Sequence, residues 1–129
     1  MEEKTVGDLR VLVVDDEKLV ATLLKGILVG LGVQEIDLAD SGEQAIDFLG
    51  EHTYDLVLSD VMMPGIGGLG LVKHIRETMG AADLPVYAVT AESVSLDEFR
   101  QQGFTACFVK PFTRDNVSAL LRRTLARGA

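Results

Sequence analysis

The stretch YDLVLSDVMMP, residues 54–64, decides how the rest of the chain reads. Leu56, Val57 and Leu58 form an unbroken apolar run that leads straight into Asp60, and Pro64 and a glycine cluster follow. A short continuous apolar run fits a strand buried on both faces, and proline with glycines ends it. Asp60 is therefore expected at the carboxyl end of a central strand. In open α/β sheets ligands bind at that edge, so partners for this carboxylate should stand at the ends of other strands.

Outward toward the N-terminus, residues 9–14 carry a second apolar run, which stops at Asp15, Asp16 and Glu17. It too reads as a strand covered on both faces. Val20, Leu23, Leu24, Ile27, Leu28 and Leu31 then recur at helical spacing, which predicts a helix burying those side chains and ending at Gly32. Residues 33–39 read as a short strand, and Glu35 and Asp37 within it mark a sheet edge. Ser41 fits a helix N-cap with Gln44 at the third position, opening a helix that runs to about Gly50.

Outward toward the C-terminus, a helix is expected over 69–79 with Val72, Ile75 and Met79 inward. Residues 85–89 form a fourth strand, which ends at Thr90. SLDE at 95–98 is a capping box for a short helix closed by Gly103. Residues 106–109 form a fifth strand, which ends at Lys110 and Pro111. Thr113 can cap a last helix with Val117, Leu120, Leu121 and Leu125 inward, and Arg122, Arg123 and Arg127 in its last turns complement the helix dipole.

Repeated strand-then-helix units joined by short loops imply α/β architecture: a doubly wound, five-stranded parallel sheet between two helical layers. Right-handed crossovers and an edge strand in second place favour the order 2-1-3-4-5, whose switch point lies between the first and third strands. Residues 1–8 read as a polar tail and 9–127 as a single domain, with no room for an output domain. The 12 basic and 20 acidic residues leave a net charge of -8, which argues against nucleic acid as a partner. One cysteine excludes an intramolecular disulfide and a cysteine-rich zinc site. No apolar stretch suits a membrane span or a signal peptide, so the expected location is cytoplasmic and no membrane partner is expected.

Five side chains converge at the strand ends: Asp15 and Asp16 from strand one, Asp60 from strand three, Thr90 from strand four and Lys110 from strand five. Carboxylates held close together need a cation or shifted pKa values. Oxygen ligands without nearby Cys or His select a hard ion, for which Mg²⁺ is the natural choice. A carboxylate nucleophile, a magnesium site, a lysine and a hydroxyl are the parts that phosphoryl transfer needs.

VLVVDD, YDLVLSDVMMPGIGG, VTA and FVKPF, in that order, resemble the receiver domain of bacterial response regulators, with its flavodoxin-like fold. The resemblance runs from Leu9 to the last helix. It implies that Asp60 accepts a phosphoryl group from a histidine kinase or a histidine phosphotransfer protein, and that the chain signals to an unidentified downstream protein or relays the group. It implies that Asp16, Asp60 and the backbone carbonyl of Met62 bind Mg²⁺ directly, with Asp15 acting through water. It implies that Thr90 and Lys110 contact the phosphoryl oxygens and that Lys110–Pro111 is a cis peptide. Such a chain catalyses its own phosphorylation without being a turnover enzyme. The rival readings are a pseudo-receiver adaptor that works without phosphorylation and a magnesium-dependent phosphohydrolase of similar fold. The intact acid set argues against the first, and the lack of a second general acid near Asp60 argues against the second.

The sequence departs from the receiver pattern in four places. Cys107 stands where receivers usually carry an aromatic residue, and Phe108 should face the other side of the sheet. Cys107 itself reads as a small core residue. The fourth-helix region is short, and Gly68 and Gly70 replace usual acids, so the third helix is expected to begin loosely at Leu69. Met62 occupies a position where a polar side chain can orient a hydrolytic water, which predicts slow loss of the phosphoryl group, offset in part by Glu92. Met62 and Met63 otherwise read as loop packing. The G-x-G-x-x-G match at 65–70 follows the third strand instead of the first, so it is read as a mobile loop and not as a dinucleotide fingerprint.

Overall fold

A computed structural model describes residues 4–90, 96–110 and 112–127, with the side chains of Leu96, Phe108 and Arg127 outside the description. Its strands are β1 (Arg10–Val14), β2 (Glu35–Ala39), β3 (Leu56–Asp60), β4 (Val86–Thr90) and β5 (Ala106–Val109). Its helices are α1 (Lys18–Gly30), α2 (Gly42–Glu51), α3 (Gly67–Lys73), α4 (Leu96–Gln101) and α5 (Arg114–Arg127). The strands pair in parallel in the order β2-β1-β3-β4-β5, as the alternation of elements requires. The capping box at Ser95, Glu92 and the Lys110–Pro111 peptide bond lie outside the described residues, as does the facing of the Phe108 side chain.

The continuous apolar strands are buried on both sides because the two helical layers need both faces. β3 is buried at all five positions, and so is β4. Val11, Val13, Leu56, Leu58, Tyr87 and Val89 pack against α1 and α5 through Leu24, Leu28, Val117, Leu120 and Leu121. Leu12, Val14, Val57, Val86 and Ala88 face the opposite way, onto Ala45, Leu49, Leu71, Val72, Ile75, Phe99 and Phe104. Period-two alternation along each strand thus splits one apolar run between two cores.

Several local expectations hold. Ser41 Oγ accepts a hydrogen bond from Gln44 N at 3.0 Å, and Thr113 Oγ1 accepts one from Asn116 N at 3.2 Å. β2 lies at the sheet edge, where Arg10 reaches Glu35 at 3.2 Å and Asp37 at 3.1 Å. Asp37 also accepts from Tyr54 Oη at 2.6 Å, and the Arg10 guanidinium lies 5.5 Å from the Tyr54 ring centroid. Residues Val6–Asp8, read as polar tail, form a 3₁₀ turn, and Leu9 behind them is buried.

Other expectations are corrected. Leu23 is 61% exposed, and Ala21 takes the inward place in α1. α3 starts two residues earlier than expected, at Gly67. After Lys73 it widens into a π turn over His74–Thr78, closed by Met79 N donating to His74 O at 3.0 Å. The extra residue in that turn shifts the helical phase, so Met79 is 41% exposed and, of the three residues expected inward, only Val72 and Ile75 are buried. Arg76, in the π turn, donates to the carbonyls of Gly103, Ala81 and Leu84. At the amino edge of the sheet, Lys4, Leu9, Pro85, Thr124 and Leu125 line one shared hollow.

Candidate functional site

Each strand end delivers one part of the site. At the end of β1, Asp15 N donates to Ala39 O at 3.0 Å, which continues the β1–β2 ladder one residue beyond the strand and fixes the carboxylate above the edge. Its Oδ1 accepts from Glu17 N at 2.8 Å. Asp15 is buried, whereas Asp16 and Glu17 are exposed. At the end of β3, fully buried Ser59 donates its hydroxyl to Asp60 O at 2.9 Å, and the buried Asp60 side chain accepts from Met62 N at 3.3 Å. β4 ends in buried Thr90, whose carbonyl accepts from Lys110 N at 2.7 Å.

That last bond anchors the backbone of Lys110 beside β4, and its side chain reaches inward. Lys110 Nζ lies 3.3 Å from Asp15 Oδ2 and 3.6 Å from Asp60 Oδ2. One ammonium thus bridges the first and third strands at the switch point. The sequence-derived residues Asp15, Asp16, Asp60, Thr90 and Lys110 all stand at the carboxyl edge. The Met62 amide also reaches Asp60, but Met62 is 81% exposed, which corrects its reading as loop packing. Met63 is partly buried against the α2–α3 core.

The electrostatics follow from the crowding. Burial pushes the Asp15 carboxyl above its ordinary range, and the nearby Asp60 charge adds to this against the opposing Glu17 amide and Lys110. Burial would lower Lys110, but the charges of Asp15 and Asp60 outweigh it and hold the ammonium above its usual value.

Asp15, Asp16, Glu17 and Asp60 each offer a carboxylate oxygen, and these atoms all lie within 4.8 Å of one another. Four carboxylates around one ammonium leave a local excess of negative charge. An all-oxygen donor set of this kind fits a hard divalent cation such as Mg²⁺. Glu17 is a member that the sequence reading did not assign. The signal was its place directly after the acid pair, where it was read only as the end of the strand.

The glycine cluster proves to be packed and not loose. A Cβ on Gly68 would lie 2.3 Å from Asp60 O and 2.8 Å from Val61 Cα, so the first turn of α3 rests directly on the backbone at the end of β3. Gly65 and Gly67 adopt φ of 78° and 68°, which let the chain turn from β3 into α3. Cys107 is half-buried against the α2–α3–α4 core, and burial raises its thiol pKa. Among the described residues no helix is long and apolar enough to cross a membrane.

The sheet order and the acidic, lysine-bearing switch point define a flavodoxin-like α/β protein with its site between β1 and β3. The chain belongs to the response regulator receiver domain family of two-component signalling, whose sequence model matches residues 11–122. It is 33% identical over 129 residues to the chemotaxis protein CheY-3 of Vibrio cholerae, an alignment covering 98% of this chain and 99% of that one. It is 36% identical over 118 residues to the response regulator Rre1 of Synechocystis sp., covering 90% of this chain but only 51% of that protein. Among solved structures it resembles the receiver domain of the Pseudomonas aeruginosa sensor histidine kinase PA1611, with a TM-score of 0.81 and 27% identity over 92% of this chain and 98% of that one. That structure has a magnesium ion coordinated in its active-site cleft.

Proposed function

We propose that Asp60 accepts a phosphoryl group from a phosphohistidine of a sensor kinase or phosphotransfer protein. An Asp60 carboxylate oxygen attacks phosphorus, a P–O bond forms as the P–N bond breaks, and the imidazole leaves with the electron pair. Lys110 and Thr90 contact the phosphoryl oxygens, and preorganised groups of this kind stabilise charge that develops in the transition state. Asp15, Asp16, Asp60 and the Met62 carbonyl are the residues that would hold Mg²⁺, with Glu17 beside them. When bound, the ion would supply positive charge that offsets the negative charge gathered at the site. The chain catalyses only its own phosphorylation and dephosphorylation, and 9–127 acts as one cytoplasmic receiver unit that signals by protein contact or by relay.

The observation that carries this reading is the Lys110 ammonium, 3.3 and 3.6 Å from two buried carboxylates at the switch point. Support also comes from the magnesium-bearing relative. Incubation with Mg²⁺ and acetyl phosphate should add one acid-stable, base-labile phosphoryl group, detected by intact-mass spectrometry. Asp60→Asn should abolish it. Equal labelling of Asp60→Asn, or no labelling of the unaltered chain, would overturn the assignment.

A further inference from the structure

The loop from β3 to α3 is tied down at both ends. At the near end, Met62 N donates to Asp60 Oδ1 at 3.3 Å and Gly68 N donates to Val61 O at 3.1 Å. At the far end, Ile66 N donates to Glu43 Oε1 at 3.3 Å, across to α2. Glu43 sits in the first turn of α2, directly behind the Ser41 cap, so its carboxylate projects from a fixed helix end.

Three glycines make room for this second tie. A Cβ on buried Gly42 would lie 2.6 Å from Ile66 Cγ1 and 3.0 Å from Gly67 O. One on Gly70 would lie 2.7 Å from Ile66 Cβ, and one on Gly65 would lie 2.4 Å from Glu43 Oε2. Contacts that short do not persist, so a side chain at any of the three must displace Ile66 or Glu43. Ile66 therefore fills a slot shaped by two helices, although it is 40% exposed.

The geometry points to the Glu43–Ile66 contact as a latch that positions the loop, and with it the Met62 backbone beside Asp60. The inference rests on the phosphoacceptor reading, in which the Met62 carbonyl would help to hold the cation. Met62 is 81% exposed, so its side chain contributes little to holding its backbone, which depends on its neighbours. A segment pinned at both ends has less conformational freedom to lose when a ligand binds than one pinned at a single end. Glu43, Ile66 and Gly42 are thus positioning residues that never touch the phosphoryl group.

The test compares the unaltered chain with Glu43→Ala, Ile66→Ala and Glu43→Gln in two assays. The first is amide hydrogen exchange over residues 61–68 without Mg²⁺. The second is the Mg²⁺ concentration that half-saturates labelling of Asp60 by acetyl phosphate. Both alanine variants should speed exchange and raise the Mg²⁺ requirement by about threefold to tenfold, the worth of one such contact, while the labelling rate at saturating Mg²⁺ stays close to that of the unaltered chain. Glu43→Gln keeps an acceptor oxygen and should restore both readouts. Unchanged exchange and Mg²⁺ requirement in Glu43→Ala, beside normal labelling of the unaltered chain, would overturn the latch alone. No labelling of the unaltered chain would overturn the phosphoacceptor reading and the latch with it.

Discussion

Met62 stands two residues after Asp60, the proposed phosphoacceptor, and is 81% exposed, so a thioether is what approaching water meets. A thioether neither donates a hydrogen bond nor accepts one strongly, and nothing about it would orient a water toward an acyl phosphate. Met62→Asn should therefore shorten the lifetime of phosphorylated Asp60 by about tenfold, the value of one well-placed polar contact in a transition state. Following label loss after removal of the phosphodonor checks this, and an unchanged lifetime would count against it. At this scale the site was largely legible, because Asp15, Asp60, Thr90 and Lys110 each end an apolar run. Glu17 was not, since an exposed acid at a helix start looks the same whether or not it joins a cluster.

Among the elements, α3 shows how packing overrides a sequence pattern. Three glycines at 67, 68 and 70 argue for a frayed start, yet the helix begins there because Gly68 lies flat on the Asp60–Val61 backbone. Gly68→Ala would push α3 off β3, since both close contacts are backbone atoms that cannot rotate away. We expect a loss of about 1–3 kcal/mol, typical of overpacking, measured by urea denaturation, together with slower labelling of Asp60. A fully active, equally stable variant would show that the contact relaxes freely. α1 was misread for a different reason. Leu19, Val20, Leu23, Leu24, Ile27, Leu28 and Val29 are apolar almost all the way round the helix, so periodicity alone does not choose a buried face, and Leu23 fell on the wrong side. Met79 was misplaced because a π turn leaves no mark in a pattern read at 3.6 residues per turn.

The whole molecule was the most legible scale, since alternating strands and helices with one charged edge strand leave few topologies. Its stability should depend on pH through the edge cluster. Burial pushes Asp37 up, but hydrogen bonds from Tyr54 and Arg10 and the Arg10 charge outweigh it, so its folded pKa lies below the usual carboxylate value. That stabilisation is complete above the unfolded value of about 4 and is lost as pH falls through the lower folded one. Burial first, and then Asp37, raises the Tyr54 phenol, so its share is complete below the unfolded value of about 10 and declines as pH rises beyond it. Urea midpoints across acid pH should fall less steeply for Asp37→Asn than for the unaltered chain. Equal slopes would remove Asp37 from the account.

The hollow shared by Lys4, Thr124 and Leu125 has a consequence for how such a unit is joined to others. It places the start of β1 and the end of α5 together at the rear of the sheet, while the acids, Thr90 and Lys110 open at the front. With both of these segments at the rear, the front, where the proposed phosphoacceptor Asp60 opens, is left clear of them. The same unit can then serve inside proteins of very different length, as the coverage of CheY-3 and Rre1 illustrates. An affinity tag at either end should likewise leave labelling of Asp60 undisturbed.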